Sequence, residues 1–450
     1  MKATLALLLT GCLLGLLLLS GCGTAAPEPE PKPAEPMDPV TPAPPETARP
    51  LPAHTSKTRE PETFPADEGP GETPAADTEP AEGRGPDAET AVPPESLPAG
   101  GWPEAKLAQM TLEEKVAQMF IVTPEALTGI SGTATVAGQT TQNAFERIPV
   151  GGILYMARNL ENPTQTKALL AGMREISRER IGLVPFLCVD EEGGPVARIG
   201  NNPAFGVPKL PPMAEIGKTG DSQSAKEAGR TIGAYLRELG FNLDFAPCAD
   251  VLTNPENRIV RSRSFGSDPA LVSRMARAFS EGLLEQGVLP CCKHFPGHGG
   301  TAEDSHLGFA VLPMDLETLK RSPELAPFLD AAGWGAPMMM AGHISVPQAD
   351  GDELPASLSR TLMDLLRGDG VGYEGLIVTD ALNMGAITQR YGPGEAAVRA
   401  VLAGSDLLLE PEALQEAYEA VLAAVRDGTI PEERIDRSVL RILRAKLRLP

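Results

Sequence analysis

Positive charge is in short supply here: 39 lysines and arginines face 60 aspartates and glutamates over 450 residues, a formal net charge of −21. Phosphate backbones select basic faces, so nucleic acid is a poor partner for this chain. Histidine is scarcer still, with five in the whole sequence. No H-E-x-x-H helix and no His-x-His after the first apolar run occurs, which leaves no strong zinc signature. The Gly-rich fingerprint of a dinucleotide fold does not follow that run either, which counts against an open, doubly wound sheet. No internal repeat is visible beyond the alternation of elements described below. Cysteine is sparse, at six. A large domain needs no covalent staples, and Cys188, Cys248, Cys291 and Cys292 sit in or beside apolar runs, so buried free thiols are expected.

What is present begins with Lys2 and an apolar run from Leu5 to Leu19, the pattern of a secretion signal over residues 1–21. Leu19-Ser20-Gly21-Cys22 resembles a bacterial lipobox, which implies cleavage before Cys22 and attachment of lipid to its sulfur. An uncleaved transmembrane anchor suits the segment less well, because the run is short for a span. Residues 22–101 form a linker of different composition. From Gly23 to Gly101 there are 20 of the 45 prolines, and 16 acidic against 5 basic side chains, a net of −11. Such a stretch cannot build a core. As a Pro-rich, self-repelling tether it reaches at most on the order of 240 Å at about 3.1 Å per residue. The expected setting is extracytoplasmic, at a bacterial cell membrane, with the lipid anchor as the membrane contact.

Residues 102–450 read as one domain. Short apolar runs without alternation recur at 119–123, 151–157, 185–190, 241–247, 288–294, 336–343, 375–380 and 406–410. Runs of this kind suit parallel strands covered on both faces. Amphipathic stretches at 222–239, 268–286, 315–332, 394–403, 411–427 and 431–447 read as helices, and Thr111 to Glu114 has the pattern of a capping box. The economical fold is α/β, a (β/α)₈ TIM-type barrel preceded by a disordered Pro/Glu-rich tether.

A barrel makes a positional prediction, since its sites form where strands end. Asp190-Glu191-Glu192-Gly193-Gly194 closes the third run, Asp250 trails the fourth, Lys293-His294 ends the fifth, His343 the sixth and Asp380 the seventh. Polar groups aimed at one mouth from several strands mark a binding cleft. His343 with Asp190 and Asp380 can be drawn as a zinc set, as can Cys291, Cys292, His294 and His298. Successive strand residues face opposite ways, which spoils the second set, and no metal or other cofactor is expected.

The motifs KHFPGHG (293–299) with DSH (304–306), DEEGG (190–194) followed by Arg198, RSFG (263–266) and VTDAL (378–382) resemble those of bacterial β-N-acetylglucosaminidases of glycoside hydrolase family 3. They occur in order, each at an expected strand end. The resemblance implies a retaining exo-hydrolase of terminal β-linked N-acetylglucosamine. It assigns Asp380 as nucleophile, an Asp304–His306 dyad as general acid and base, and Asp190, Arg198, Arg263, Lys293 and His294 as sugar contacts. Chemically, one carboxylate must lie beneath the anomeric carbon and a second group must serve the leaving oxygen. Histidine, with an unperturbed pKa of about 6.5, can give and take that proton, and Asp304 would orient its ring. His298 receives no chemical step. Glu191 and Glu192 are expected to line the mouth or brace it, since adjacent side chains cannot flank opposite faces of one sugar.

Three functions remain open at this level. The chain reads first as a glycosidase trimming peptidoglycan fragments or related glycans. The second reading is a glucosidase, a xylosidase or an enzyme transferring the glycosyl unit to phosphate. The third is a sugar-binding lipoprotein without catalysis.

Overall fold

The structure, a computed structural model, describes residues 101–302, 310–351, 353–368 and 370–449. Eight parallel strands make the central sheet: β1 (Phe120–Val122), β2 (Gly152–Leu154), β3 (Phe186–Val189), β4 (Leu243–Asp244), β5 (Leu289–Phe295), β6 (Met338–Ala341), β7 (Leu376–Thr379) and β8 (Leu408–Leu409). Each pairs with its neighbour in chain order, and β1 pairs in parallel with β8, Phe120 opposite Leu408. The last seam closes between Val378 and Leu407, where the Thr379 N–H donates to the Leu407 carbonyl at 3.0 Å. The sheet is therefore a closed (β/α)₈ barrel.

The physical reason lies in burial on both faces. The strand residues of β1, β2, β3, β6 and β7 are buried along their whole length, so no polar face is needed and none appears in the sequence. All eight apolar runs become strands. Helices follow with ordinary stop and start signals. Ser222–Leu239 begins at Asp221, whose side chain accepts the Gln223 N–H, and ends at Gly240. Thr111 and Glu114 form the expected reciprocal capping box at Leu112–Ala117. No described helix is long and apolar enough to cross a membrane.

One expected helix is corrected. Residues 315–332 do not run as a single helix but split into Leu316–Lys320 and Ala326–Gly333. Pro323 has no N–H to give and disfavours a helical Ser322, so the chain turns there and sets Glu324 beneath the segment that follows β5. The four described thiols are free and buried, as expected. Burial pushes that of Cys292 up to about 12.

Candidate active site

The C-terminal ends of the strands surround a cavity of about 310 Å³, lined by Asp190, Glu192, Arg198, Arg263, Lys293, His294, His298, Asp380 and Glu410, with Met156, Met340 and Met384 among its apolar walls. Six residues singled out from sequence thus meet in one place: Asp190, Arg198, Arg263, Lys293, His294 and Asp380. Asp304 and His306 lie outside the described residues, as does Cys22.

Lys293, carried by β5, has a side chain only 3% exposed and bridges Asp190 at 2.8 Å and Glu192 at 2.6 Å. Arg263 grips Glu192 with two parallel bonds of 2.7 Å, from Nε and from one terminal nitrogen. Burial would raise the Glu192 carboxyl, but the charges of Arg263 and Lys293 hold it well below the usual carboxylate range. The same pairing opposes burial at Lys293 and keeps its ammonium above its ordinary value. Charge-assisted, forked bonds of this kind fix geometry as well as charge. Glu192 is thus the central counter-ion of the mouth. Glu191 faces the interior instead, accepting the N–H groups of Ile199 and Gly200 and the Tyr235 hydroxyl, which makes it a brace for the loop after β3.

Asp250 organises the second half of the site. It is fully buried, and its carboxylate accepts the backbone N–H of His294 at 3.1 Å, that of His298 at 2.7 Å, and the Cys248 thiol at 3.1 Å. His294 Nδ1 lies 2.8 Å from the same group, which places the ring proton on Nδ1 and leaves Nε2 facing Arg263 and the cavity. Burial would raise this carboxyl, yet His294 and His298 hold it at about 2. Two glycines permit the arrangement. A Cβ on Gly299 would stand 1.7 Å from the Val251 carbonyl, and Gly297 has a φ of 129° with Glu324 2.8 Å from where its Cβ would be. His298 packs within this segment, Nδ1 against the Thr301 hydroxyl at 2.8 Å, and also lines the cavity.

Asp380 follows β7 on the floor of the mouth. The Ala341 carbonyl accepts its backbone N–H at 2.8 Å, and its Oδ1 accepts the Ala381 N–H at 2.8 Å. Burial, the largest influence, acts to raise its carboxyl, but His343, His294, the Ala381 N–H and Lys293 together hold it below the usual value. An ionised carboxylate on the floor of the mouth is the state a nucleophile needs. His343 does not reach the cavity lining. Its Nδ1 meets the Ser357 hydroxyl and its Nε2 the Ala381 carbonyl, each at 2.8 Å, so it supports the turn behind Asp380.

Cys248, Asp250 and His294 have ligand atoms within 4.8 Å of one another. Those atoms already satisfy each other by hydrogen bonds, and the Arg263 guanidinium lies 3.4 Å from His294 Nε2, an unfavourable neighbour for a cation.

From sequence, Asp250 is expected at the mouth without a chemical role, Glu410 is not singled out, and Glu192 is expected as wall or brace. A carboxylate at a strand end is a visible signal for each, but its partner comes from another strand. Taken together, the mouth offers paired donors and acceptors on one side and an ionised carboxylate below them, a set suited to a ring rich in hydroxyls.

The sequence pattern of the glycosyl hydrolase family 3 N terminal domain matches residues 111–445. The chain is 34% identical over 351 residues to the β-hexosaminidase LpqI of Mycobacterium tuberculosis (strain ATCC 25618 / H37Rv), covering 75% of this chain and 84% of that protein. It is 33% identical over 328 residues to β-hexosaminidase A of Pseudoalteromonas piscicida, covering 68% of this chain but 54% of the relative. A solved family 3 β-N-acetylglucosaminidase from Paenibacillus sp. str. FPU-7 superposes with a TM-score of 0.69 at 40% identity, covering 75% of this chain and 62% of that one. The chain thus spans little more than half the length of two of these three proteins. Order of motifs, barrel and mouth agree with the match over 111–445: the chain belongs to glycosyl hydrolase family 3.

Proposed function

We propose that this protein is a retaining exo-β-N-acetylglucosaminidase, acting on terminal β-linked N-acetylglucosamine of peptidoglycan fragments or related glycans. The observation that carries the reading is Asp380, a half-buried carboxylate held ionised on the floor of a cavity whose wall is built from the Asp190–Lys293–Glu192–Arg263 network. The names of the relatives support the choice of sugar.

In this reading the sugar's far hydroxyls bind Asp190, Arg198, Arg263, Lys293 and His294. An Asp380 oxygen attacks the anomeric carbon from below, forming a carbon–oxygen bond as the glycosidic bond breaks. His306, oriented by Asp304, gives its proton to the leaving oxygen and then takes one from the water that releases the sugar. The Cys22 lipid and the acidic tether would hold the enzyme at the outer side of a membrane.

A slow fluorinated N-acetylglucosaminide tests the reading through mass spectrometry of the intact chain and its peptides. One covalent sugar on Asp380 is expected. Sugar binding without any adduct identifies a non-catalytic binding protein, and an adduct elsewhere removes Asp380 from the role. Release of the adduct faster in phosphate than in water alone would point to phosphorolytic transfer.

A further inference from the structure

The sugar contacts gathered at the ends of β3 and β5, with Arg263 from the segment after β4, leave one side of the cavity unassigned. That side is built by the ends of β2, β7 and β8, from Leu154, Met156, Asn383 and Glu410. Glu410 is the unusual member. Its backbone φ is 46°, a left-handed conformation that glutamate seldom adopts and that persists where surrounding structure enforces it. The residue is 9% exposed. Its Oε1 accepts the backbone N–H of Thr123, the residue that caps Pro124–Thr128. Its Oε2 meets the Asn383 amide at 3.5 Å, long for a hydrogen bond. A carboxyl carried into a cavity this way, with one oxygen tied back and the other weakly engaged, offers an acceptor to a bound molecule.

The chemistry of the wall narrows what that molecule presents. With the reacting carbon over Asp380 and the far hydroxyls on the β3 and β5 side, the substituent next to the reacting carbon falls on one edge of the ring or the other. The β6 edge offers Met340, and His343 behind it is engaged with Ser357 and Ala381. The β8 edge offers an acceptor in Glu410, a donor in the Asn383 amide, and an apolar surface in Leu154 and Met156. A lone hydroxyl needs one of these. An acetamido group, with its N–H, its carbonyl and its methyl, uses all three.

We propose that Glu410, beside Asn383, builds the acetamido subsite and is a specificity-determining residue that accepts a hydrogen bond from the sugar's 2-acetamido N–H. This rests on the glycosidase reading above. Glu410→Gln is the variant of choice, because it keeps an oxygen for the Thr123 N–H and turns the cavity-facing oxygen into a donor. Calorimetric binding of N-acetylglucosamine should weaken roughly tenfold or more, while binding of glucose changes by less than about twofold. Turnover of an aryl N-acetyl-β-glucosaminide should fall in kcat/KM by a similar factor. Equal losses for both sugars, or no loss for N-acetylglucosamine, overturn the assignment. Binding is read without turnover, so a wild-type chain that binds N-acetylglucosamine but hydrolyses nothing sinks the glycosidase reading and leaves Glu410 to be judged separately. Should the variant fail to fold, the wild-type chain with an N-methylated acetamido analogue decides the point: a sugar lacking the N–H that binds as tightly as N-acetylglucosamine overturns it.

Discussion

Both ends of this barrel bury charge, and they use it differently. At the base, Asp406 is fully buried and accepts from the Ile377 N–H at 3.0 Å, the Ser438 hydroxyl at 2.6 Å, and the guanidinium of Arg367. Arg367 also donates to the Gly375 carbonyl at 2.8 Å, Arg434 to the Ser405 carbonyl at 2.7 Å, and Lys446 to the Gly151 carbonyl at 2.9 Å. Backbone carbonyls and side chains share the charge there, and the result ties the helix Glu432–Lys446 to the strand beginnings. At the mouth Lys293, Asp190, Glu192 and Arg263 pair side chain to side chain, and His294 and Glu410 line the cavity with Nε2 and Oε2 engaged only at 3.4 and 3.5 Å. The base even holds the larger hollow, about 430 Å³ beside Tyr373 and Arg441, against about 310 Å³ at the mouth. Neither cavity size nor buried charge marks a site by itself. Several converging polar side chains along one cavity wall, some only weakly engaged by the fold, distinguish the mouth.

The comparison breaks most sharply at Asp380. Asp380→Asn should lower turnover of an aryl N-acetyl-β-glucosaminide by on the order of 10⁴-fold, as removal of a covalent catalytic group does, with thermal stability unchanged or raised. Near-wild-type turnover would show that the carboxylate on the floor of the mouth is not used. A second test pairs the two ends. Asp250→Asn and Asp406→Asn each disturb a buried, multiply bonded carboxylate and each should lose stability, about 3–5 kcal/mol where a buried partner is left uncompensated. Only Asp250→Asn should also weaken sugar binding, by about tenfold to a hundredfold, because the His294 ring loses the group that sets its tautomer. Calorimetry on both variants separates them, and equal loss of binding would erase the distinction between the ends.

Much of this division is legible in the order of residues alone, and the reason is physical. Strands buried on both faces must be apolar throughout, so PFLCVD or GLIVTD announces both a parallel strand and, at its polar last residue, the mouth. That logic places Asp190, Lys293, His294 and Asp380. It cannot place pairings, because Arg263 and Glu192 lie 71 residues apart and Asp250 and His294 lie 44 apart, and only closure of the barrel brings them together. Glu410 ends a run that looks like any other, and its backbone conformation has no trace in the residues around it. The split of 315–332 is readable in Ser322-Pro323 but is masked by the amphipathic pattern that spans it. The base network is invisible for the same reason as the mouth's pairings.

The smallest expected effect lies at the base, in Lys446. Its ammonium donates to Gln118 at 2.7 Å and to the Gly151 carbonyl at 2.9 Å, and it stands 5.1 Å from the centre of the Phe186 ring, with no carboxylate as a hydrogen-bond or ion-pair partner among the described residues. Burial pushes it down to about 7. An unfolded lysine titrates near 10.4, so across the interval between these values the unfolded chain binds the extra proton. This group's contribution to stability is therefore present above the unfolded value, and it is lost as pH falls toward 7. The four buried thiols, all pushed up by burial, act in the opposite sense as pH rises past about 8.5, where unfolded thiols ionise. The informative quantity is accordingly the difference between Lys446→Met and wild type. From pH 7.5 to 9.5 the wild type should gain about 1–2 kcal/mol relative to the variant, read from denaturant unfolding at each pH, while sugar binding stays the same in both. A constant difference across that range would mean that the Gln118 and Gly151 contacts keep Lys446 charged in the fold at no cost, and that the base tolerates an unpaired cation as readily as the mouth tolerates a paired one.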